Sequence, residues 1–178
     1  MNRNIVLVGL DYETIKSTAI LLSSEFDMFF LDINDLIKYN FKDEENIISI
    51  VGVEYYNKQI KKIVSSICDY ENTIINCPYD LFLDEHIREN LEKNAISIFI
   101  DISKKDMSYL NNKKQLNEKL DIPLLAYEEL KSELINISNY VVKYNKDVKN
   151  IIKDIKNIMG WYNEYKPKMH KWIKVNEC

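Results

Sequence analysis

The chain has 178 residues, enough for one domain with a sizeable core and too few for two ordinary ones. Its 24 basic and 28 acidic residues give a net charge of −4, which argues against a polyanion such as nucleic acid or an anionic membrane as the default partner. A hydrophobic content of 46% with only 3 Gly and 3 Pro excludes a disordered chain, because there is enough apolar surface to offset the entropy lost on ordering.

The N-terminus carries the apolar run Ile5-Val6-Leu7-Val8, far shorter than a membrane span or a signal-peptide core, and it reads as a buried strand. Further short apolar runs follow at 28–32, 73–77, 96–102 and 140–142, with longer polar or helically spaced stretches between them. That alternation predicts an α/β fold with a mostly parallel sheet. Ile20, Leu21, Leu22 and Phe26 recur at near-helical intervals and predict the first crossover helix. A last helix is predicted from about residue 147 to 159, with Val148, Ile151, Ile152, Ile155 and Ile158 on one face and Gly160 ending it. The domain is therefore read as 1–160. Residues 161–178 form an extension in which Trp161, Tyr162, Tyr165 and Trp172 are interleaved with Lys166, Lys168, Lys171 and Lys174. Those aromatic rings are expected to pack back on the domain or on a second subunit, with the lysine heads in water. Cys68, Cys77 and Cys178 have neither zinc-site spacing nor the even number of a disulfide framework, and reduced thiols suit a cytoplasmic protein.

The chemistry-bearing stretch is Gly9-Leu10-Asp11-Tyr12-Glu13-Thr14-Ile15-Lys16-Ser17-Thr18. A strand ending in glycine, a polar loop and then Lys-Ser-Thr opening a helix is the layout of a phosphate-binding loop. In such a loop backbone N–H groups and a lysine surround phosphate oxygens, and a hydroxyl reaches Mg²⁺. The pattern GxxxxGK[ST] would need glycine at 14 and lysine at 15, where this chain has Thr14 and Ile15. Tyr12 and Thr14 crowd the backbone, and Asp11 and Glu13 set negative charge against a polyanion.

Several segments in order resemble shikimate kinases over about 150 residues. Asn4-Ile-Val-Leu-Val-Gly-Leu10 resembles that family's first strand, and Phe30-Leu31-Asp32-Ile33-Asn34 its second strand with an Asp-x-Asp. Gly52-Val53-Glu54-Tyr55-Tyr56-Asn57 resembles Gly-Glu-x-x-Phe-Arg, and Ile75-Asn76-Cys77-Pro78 stands at the glycine-rich substrate loop. The segment 97–103 resembles the fourth strand, Asp121-Ile122-Pro123-Leu124-Leu125 the Arg-Pro-Leu-Leu after the lid, and Ser138-Asn139-Tyr140-Val141-Val142 the Ala-Asp-x-x-Val before the last helix.

The resemblance implies a three-layer kinase-like fold on a five-stranded, mostly parallel sheet, and transfer of the ATP γ-phosphate to the shikimate 3-hydroxyl, a reaction that rests on positioning and charge neutralisation. It implies MgATP contacts at Gly9, Thr14, Lys16, Ser17 and Thr18, with Ser17 and Asp32 at the magnesium and Asp32 as the catalytic acid group. Substrate contacts fall on Asn34, Asn57 and Lys58. Asn34 replaces an aspartate by an amide that is a far poorer base, and Asn57 replaces an arginine that grips a carboxylate, with Lys58 as a non-bidentate neighbour. The lid arginine falls at Ile122, and no arginine stands around 130–133. Such arginines contribute roughly 10³–10⁵ in rate.

Bland roles compete at each position. Asp32 at a strand end can simply cap the following turn, His86 and His170 lie apart from any Ser or Cys partner, and Asp43-Glu44-Glu45 and Asp84-Glu85 suit solvated loops and helix N-termini. The combined reading is a shikimate-kinase-like protein impaired in catalysis, sensing a shikimate-like small molecule or serving as an interaction partner linked to aromatic amino-acid biosynthesis, as a monomer or homodimer. The alternative is a divergent active shikimate kinase in which Lys16, Ser17 and Asp32 organise MgATP and Lys58 replaces the carboxylate clamp.

Overall fold

The computed structural model describes residues 3–41, 44–107, 124–144 and 147–165. Five strands form one parallel sheet: β1 (Asn4–Val8), β2 (Phe29–Asp32), β3 (Thr73–Asn76), β4 (Ala95–Asp101) and β5 (Tyr140–Lys143), in the order β2-β3-β1-β4-β5. The predicted strands are all present, and the fold is the expected three-layer α/β kinase type. β1, β3 and nearly all of β4 are buried, as expected of parallel strands covered on both faces, which is why they read as unbroken apolar runs and not as alternating ones.

Helices α1 (Tyr12–Phe26), α2 (Ile33–Asn40), α3 (Glu44–Val51), α4 (Val53–Ile67), α5 (Tyr79–Leu83), α6 (Glu85–Glu92), α7 (Leu124–Ile137) and α8 (Val148–Tyr165) connect or follow the strands. The crossover from β1 to β2 and that from β3 to β4 run in opposite directions along the sheet, so right-handed connections put α1 and α6 on opposite faces. α8 packs beside α1, and α4 packs on α6. Ile15, Ala19 and Leu22 of α1 and Ile151 and Ile155 of α8 turn inward to the sheet, while Tyr56, Ile60, Val64 and Ile67 of α4 and Ile87 and Leu91 of α6 close the other side.

Two boundaries differ from the sequence reading. α1 begins at Tyr12, not at Lys16-Ser17-Thr18, so only Gly9, Leu10 and Asp11 separate it from β1. α8 runs through Gly160 to Tyr165, because an exposed glycine inside a helix costs only about 1 kcal/mol and the chain beyond it keeps helical residues. A side chain at Gly160 would meet nothing within 4 Å, so the glycine answers no packing demand.

Candidate functional site at the C-terminal edge of the sheet

In a parallel α/β sheet the C-terminal ends of the strands are where side chains from different elements converge. The register puts Asn76 of β3 level with both Leu7 of β1 and Asp32 of β2. Asp32 is 5% exposed and is the N-cap of α2, its Oδ1 accepting from the Asp35 amide at 2.9 Å. Its Oδ2 accepts from Asn76 Nδ2 at 2.8 Å, and the Tyr12 hydroxyl lies 2.6 Å from both carboxylate oxygens. Lys16 Nζ stands 3.6 Å from Asp32 Oδ2, 2.7 Å from Asp35 Oδ2 and 5.8 Å from the Tyr12 ring centre.

The electrostatics follow from these contacts. Burial alone would raise the Asp32 carboxyl, but the donors Tyr12, Asn76 and the Asp35 amide, with the Lys16 charge, outweigh it and hold Asp32 below the usual carboxylate range. Burial and the hydrogen bond to an anion push the Tyr12 hydroxyl far up, so it stays a donor. Burial opposes the Lys16 charge, and its contacts with Asp35 and Asp32 overcome that and raise it. Asn76 is fully buried, and its Oδ1 has no hydrogen-bond partner among the described residues.

The turn between β1 and α1 is filled from inside. A Cβ at Gly9 would lie 2.6 Å from Ile15 Cδ1 and 2.8 Å from Ile15 Cγ1, so the Ile15 side chain sits directly on the glycine. Thr14 Oγ1 donates to the buried Asp11 carboxylate at 2.7 Å, Ser17 Oγ to the Glu13 carbonyl at 2.8 Å and Thr18 Oγ1 to the Thr14 carbonyl at 2.7 Å. Asp11 and Glu13 place carboxylates at the positive end of the α1 dipole, where an anion would otherwise gain. This residue set does not fit a nucleotide's phosphates: the glycine is covered, the hydroxyls are committed to their own helix, and the lysine is paired with carboxylates. Nor do the described residues contain a group of three or more His, Cys, Asp or Glu arranged to hold a metal ion.

Gly9, Thr14, Lys16, Ser17, Thr18 and Asp32 are thus gathered around one turn, with Asn34 close enough to Tyr12 to lower its hydroxyl slightly. Asn57 and Lys58 are exposed residues on α4, whose N-cap Gly52 has the φ of +83° that glycine tolerates. Cys77 is buried with its amide on the Leu7 carbonyl, and burial pushes its thiol up, away from reactivity. His86 is exposed on α6, and Asp84 caps that helix through the Ile87 amide and pairs with Lys61 at 2.7 Å, as the bland reading expects. Ile122 with its neighbours Asp121 and Pro123, the acidic side chains of Asp43, Glu44 and Glu45, His170 and Cys178 lie outside the described residues.

Sequence reasoning missed three residues. Tyr12 registered only as bulk, and Asn76 only as the residue before Cys77; its place at the end of the apolar run Thr73-Ile74-Ile75 was the available signal. It also missed Lys131, whose Nζ pairs with Asp101 Oδ1 at 2.9 Å at the end of β4.

The family model for shikimate kinase matches residues 14–159. The chain belongs to the shikimate kinase family. The matched stretch begins inside α1, so β1, the turn from Gly9 to Asp11 and the first two residues of α1 lie before it. Among solved structures, the fold is similar to shikimate kinase from Aquifex aeolicus, with TM-score 0.70, 21% identity, and coverage of 90% of this chain and 98% of that one. Shikimate kinase from Bacteroides thetaiotaomicron gives TM-score 0.71 at 10% identity, covering 89% and 98%. The Acinetobacter baumannii enzyme in complex with shikimate gives 0.68 at 13% identity, covering 89% and 93%. No curated protein matches the chain. At these identities the structural likeness establishes the fold.

Proposed function

We propose that this member of the shikimate kinase family does not transfer phosphate and acts as a cytoplasmic ligand-sensing or interaction protein linked to aromatic amino-acid biosynthesis, taking a shikimate-like small molecule if it binds one. The observation that carries this reading is the three-residue turn after β1, capped by Ile15 on Gly9 and locked by the Tyr12 hydroxyl on Asp32. Phosphoryl transfer depends on backbone amides, a free lysine and a metal-bound carboxylate meeting around the phosphates. Here the lysine and the carboxylate are engaged by the protein's own side chains, and Ile15 covers the glycine. Among the described residues no helix is long and apolar enough to cross a membrane.

The second reading, a divergent active shikimate kinase using MgATP, is favoured by one contact: Lys16 lies 3.6 Å from an anionic Asp32 at the edge where this family works. ADP release with MgATP, with and without millimolar shikimate, separates the two. The proposal expects no release above that of Asp32→Ala prepared in parallel; shikimate-dependent release that the substitution abolishes would establish the second reading.

A further inference from the structure

Among the described residues β2 is an edge strand, paired with β3 on one side, and its beginning is open. Phe29 is 73% exposed, and Tyr70, next to it on the approach to β3, is 51% exposed. With Phe30, Leu31, Glu71 and Thr73 they line an open cavity of about 400 Å³. The Phe29 amide donates to the Asn72 carbonyl at 2.9 Å, so the alternation of a parallel ladder turns the N–H and C=O of Phe30 away from β3, toward the open edge. An apolar groove beside outward-facing main-chain groups is a template for one more strand.

The rim of this groove is acidic and held in place. Glu71 lines it, and the exposed Asp27 and Asp69 flank it in sequence. Asp27 and Asn72 both take the left-handed backbone, with φ of +54° and +55°, and Asn72 Nδ2 donates to the Asp27 carbonyl at 3.0 Å, which ties the start of β2 to the approach to β3. A rim ordered before a partner arrives costs less entropy on association. The nearby cations of the described residues are engaged: Lys156, 5.9 Å from the Phe26 ring centre, pairs with Glu25 at 2.8 Å, and Lys93, beside Cys68, donates to Asn90 Oδ1 at 2.7 Å. Trp172 and the lysines of the C-terminal extension lie outside the described residues.

We infer that the β2 edge takes up an extended, basic segment of another protein, added as a strand beside β2, with an aromatic or aliphatic side chain against Phe29 and Tyr70 and lysine or arginine side chains facing Asp27, Asp69 and Glu71. The chain's own net charge of −4 favours such a partner over a second copy. The inference rests on the interaction role proposed above and gives it a partner class. It involves neither nucleotide nor shikimate, so its test fails separately from that of ADP release.

The probe is a fluorescently labelled, acetylated and amidated heptapeptide that alternates lysine with valine around a central tryptophan, titrated with the full-length protein and followed by anisotropy. Saturable binding is expected, weaker in high salt, and weakened about tenfold or more by Phe29→Ser, which removes the apolar anchor, and by Glu71→Lys, which reverses a rim charge. Both positions are exposed, so the substitutions leave the core intact, which far-ultraviolet circular dichroism checks. Methylating the peptide nitrogens along one edge should abolish binding, and methylating those along the other should preserve it, because one edge alone pairs with β2. No saturable binding, binding that neither substitution weakens, or the same response to both methylation patterns would overturn the inference. A dimer of the protein alone that Phe29→Ser dissociates in sedimentation would overturn it too, by assigning the edge to a second copy.

Discussion

In the middle of the sheet, Val6 of β1 is flanked by Ile75 of β3 and Ser97 of β4, all of them buried. Three residues further along the same strand direction, Gly9 lies under Ile15, and Asp32 is ringed by Tyr12, Asn76, Asp35 and Lys16. The interior keeps the family's architecture at 10–21% identity to solved shikimate kinases, because any apolar set of suitable volume and pattern fills it. The edge has no such tolerance. On the proposed reading phosphate chemistry there needs a few atoms left free, and here Tyr12 bonds the Asp32 carboxylate while Ile15 lies on Gly9.

The comparison predicts separable effects. Leu7→Ala, at a position with no exposed surface, should destabilise by about 2–5 kcal/mol in chemical denaturation, the cost of a cavity in a packed core. Asp32→Ala should cost about 2–3 kcal/mol, since it strips the α2 cap and leaves Asn76 Nδ2 without its acceptor. If the edge were open for chemistry, that loss would be small and activity would fall instead. Tyr12→Phe should cost about 1–2 kcal/mol and raise the Asp32 carboxyl toward ordinary values, because burial then meets fewer opposing donors.

A pH series sharpens this. The Asp32 carboxyl is held low in the folded state, so its contribution is present above the unfolded value of about 4 and is lost as pH falls through the lower folded value. Wild type should lose stability more steeply than Asp32→Ala on acidification through that window. Lys156→Ala, which breaks an exposed pair with Glu25, should have the smallest effect of the series, and a still smaller one in high salt.

The strands, the parallel sheet and the family were legible in the sequence because they rest on local apolar runs and their order, as Ile5-Val6-Leu7-Val8 and the run from Ile96 show. The capping role of Asp32 was legible too, being a matter of a strand end and the residue three positions on. The lock itself was not. Tyr12 and Asp32 are twenty positions apart, and nothing in the local pattern says that the tyrosine ring turns toward β2. The start of α1 was misjudged because the Lys16-Ser17-Thr18 string suggested a longer loop, whereas Ile15 gains by packing on Gly9 only if the helix has already begun. Gly160 misled in the opposite sense, since a stop signal of about 1 kcal/mol does not end a helix held by Ile151, Ile155 and Ile158.

The central claim, that the β1–α1 turn holds no phosphate, is tested most directly by thermal melting of wild type and Lys16→Ala with and without millimolar MgATP. A ligand that binds only the folded state raises the melting temperature by mass action. No rise in either protein is the predicted result. A rise in wild type that Lys16→Ala abolishes would contradict the account and show that Tyr12 and Ile15 move aside for the nucleotide.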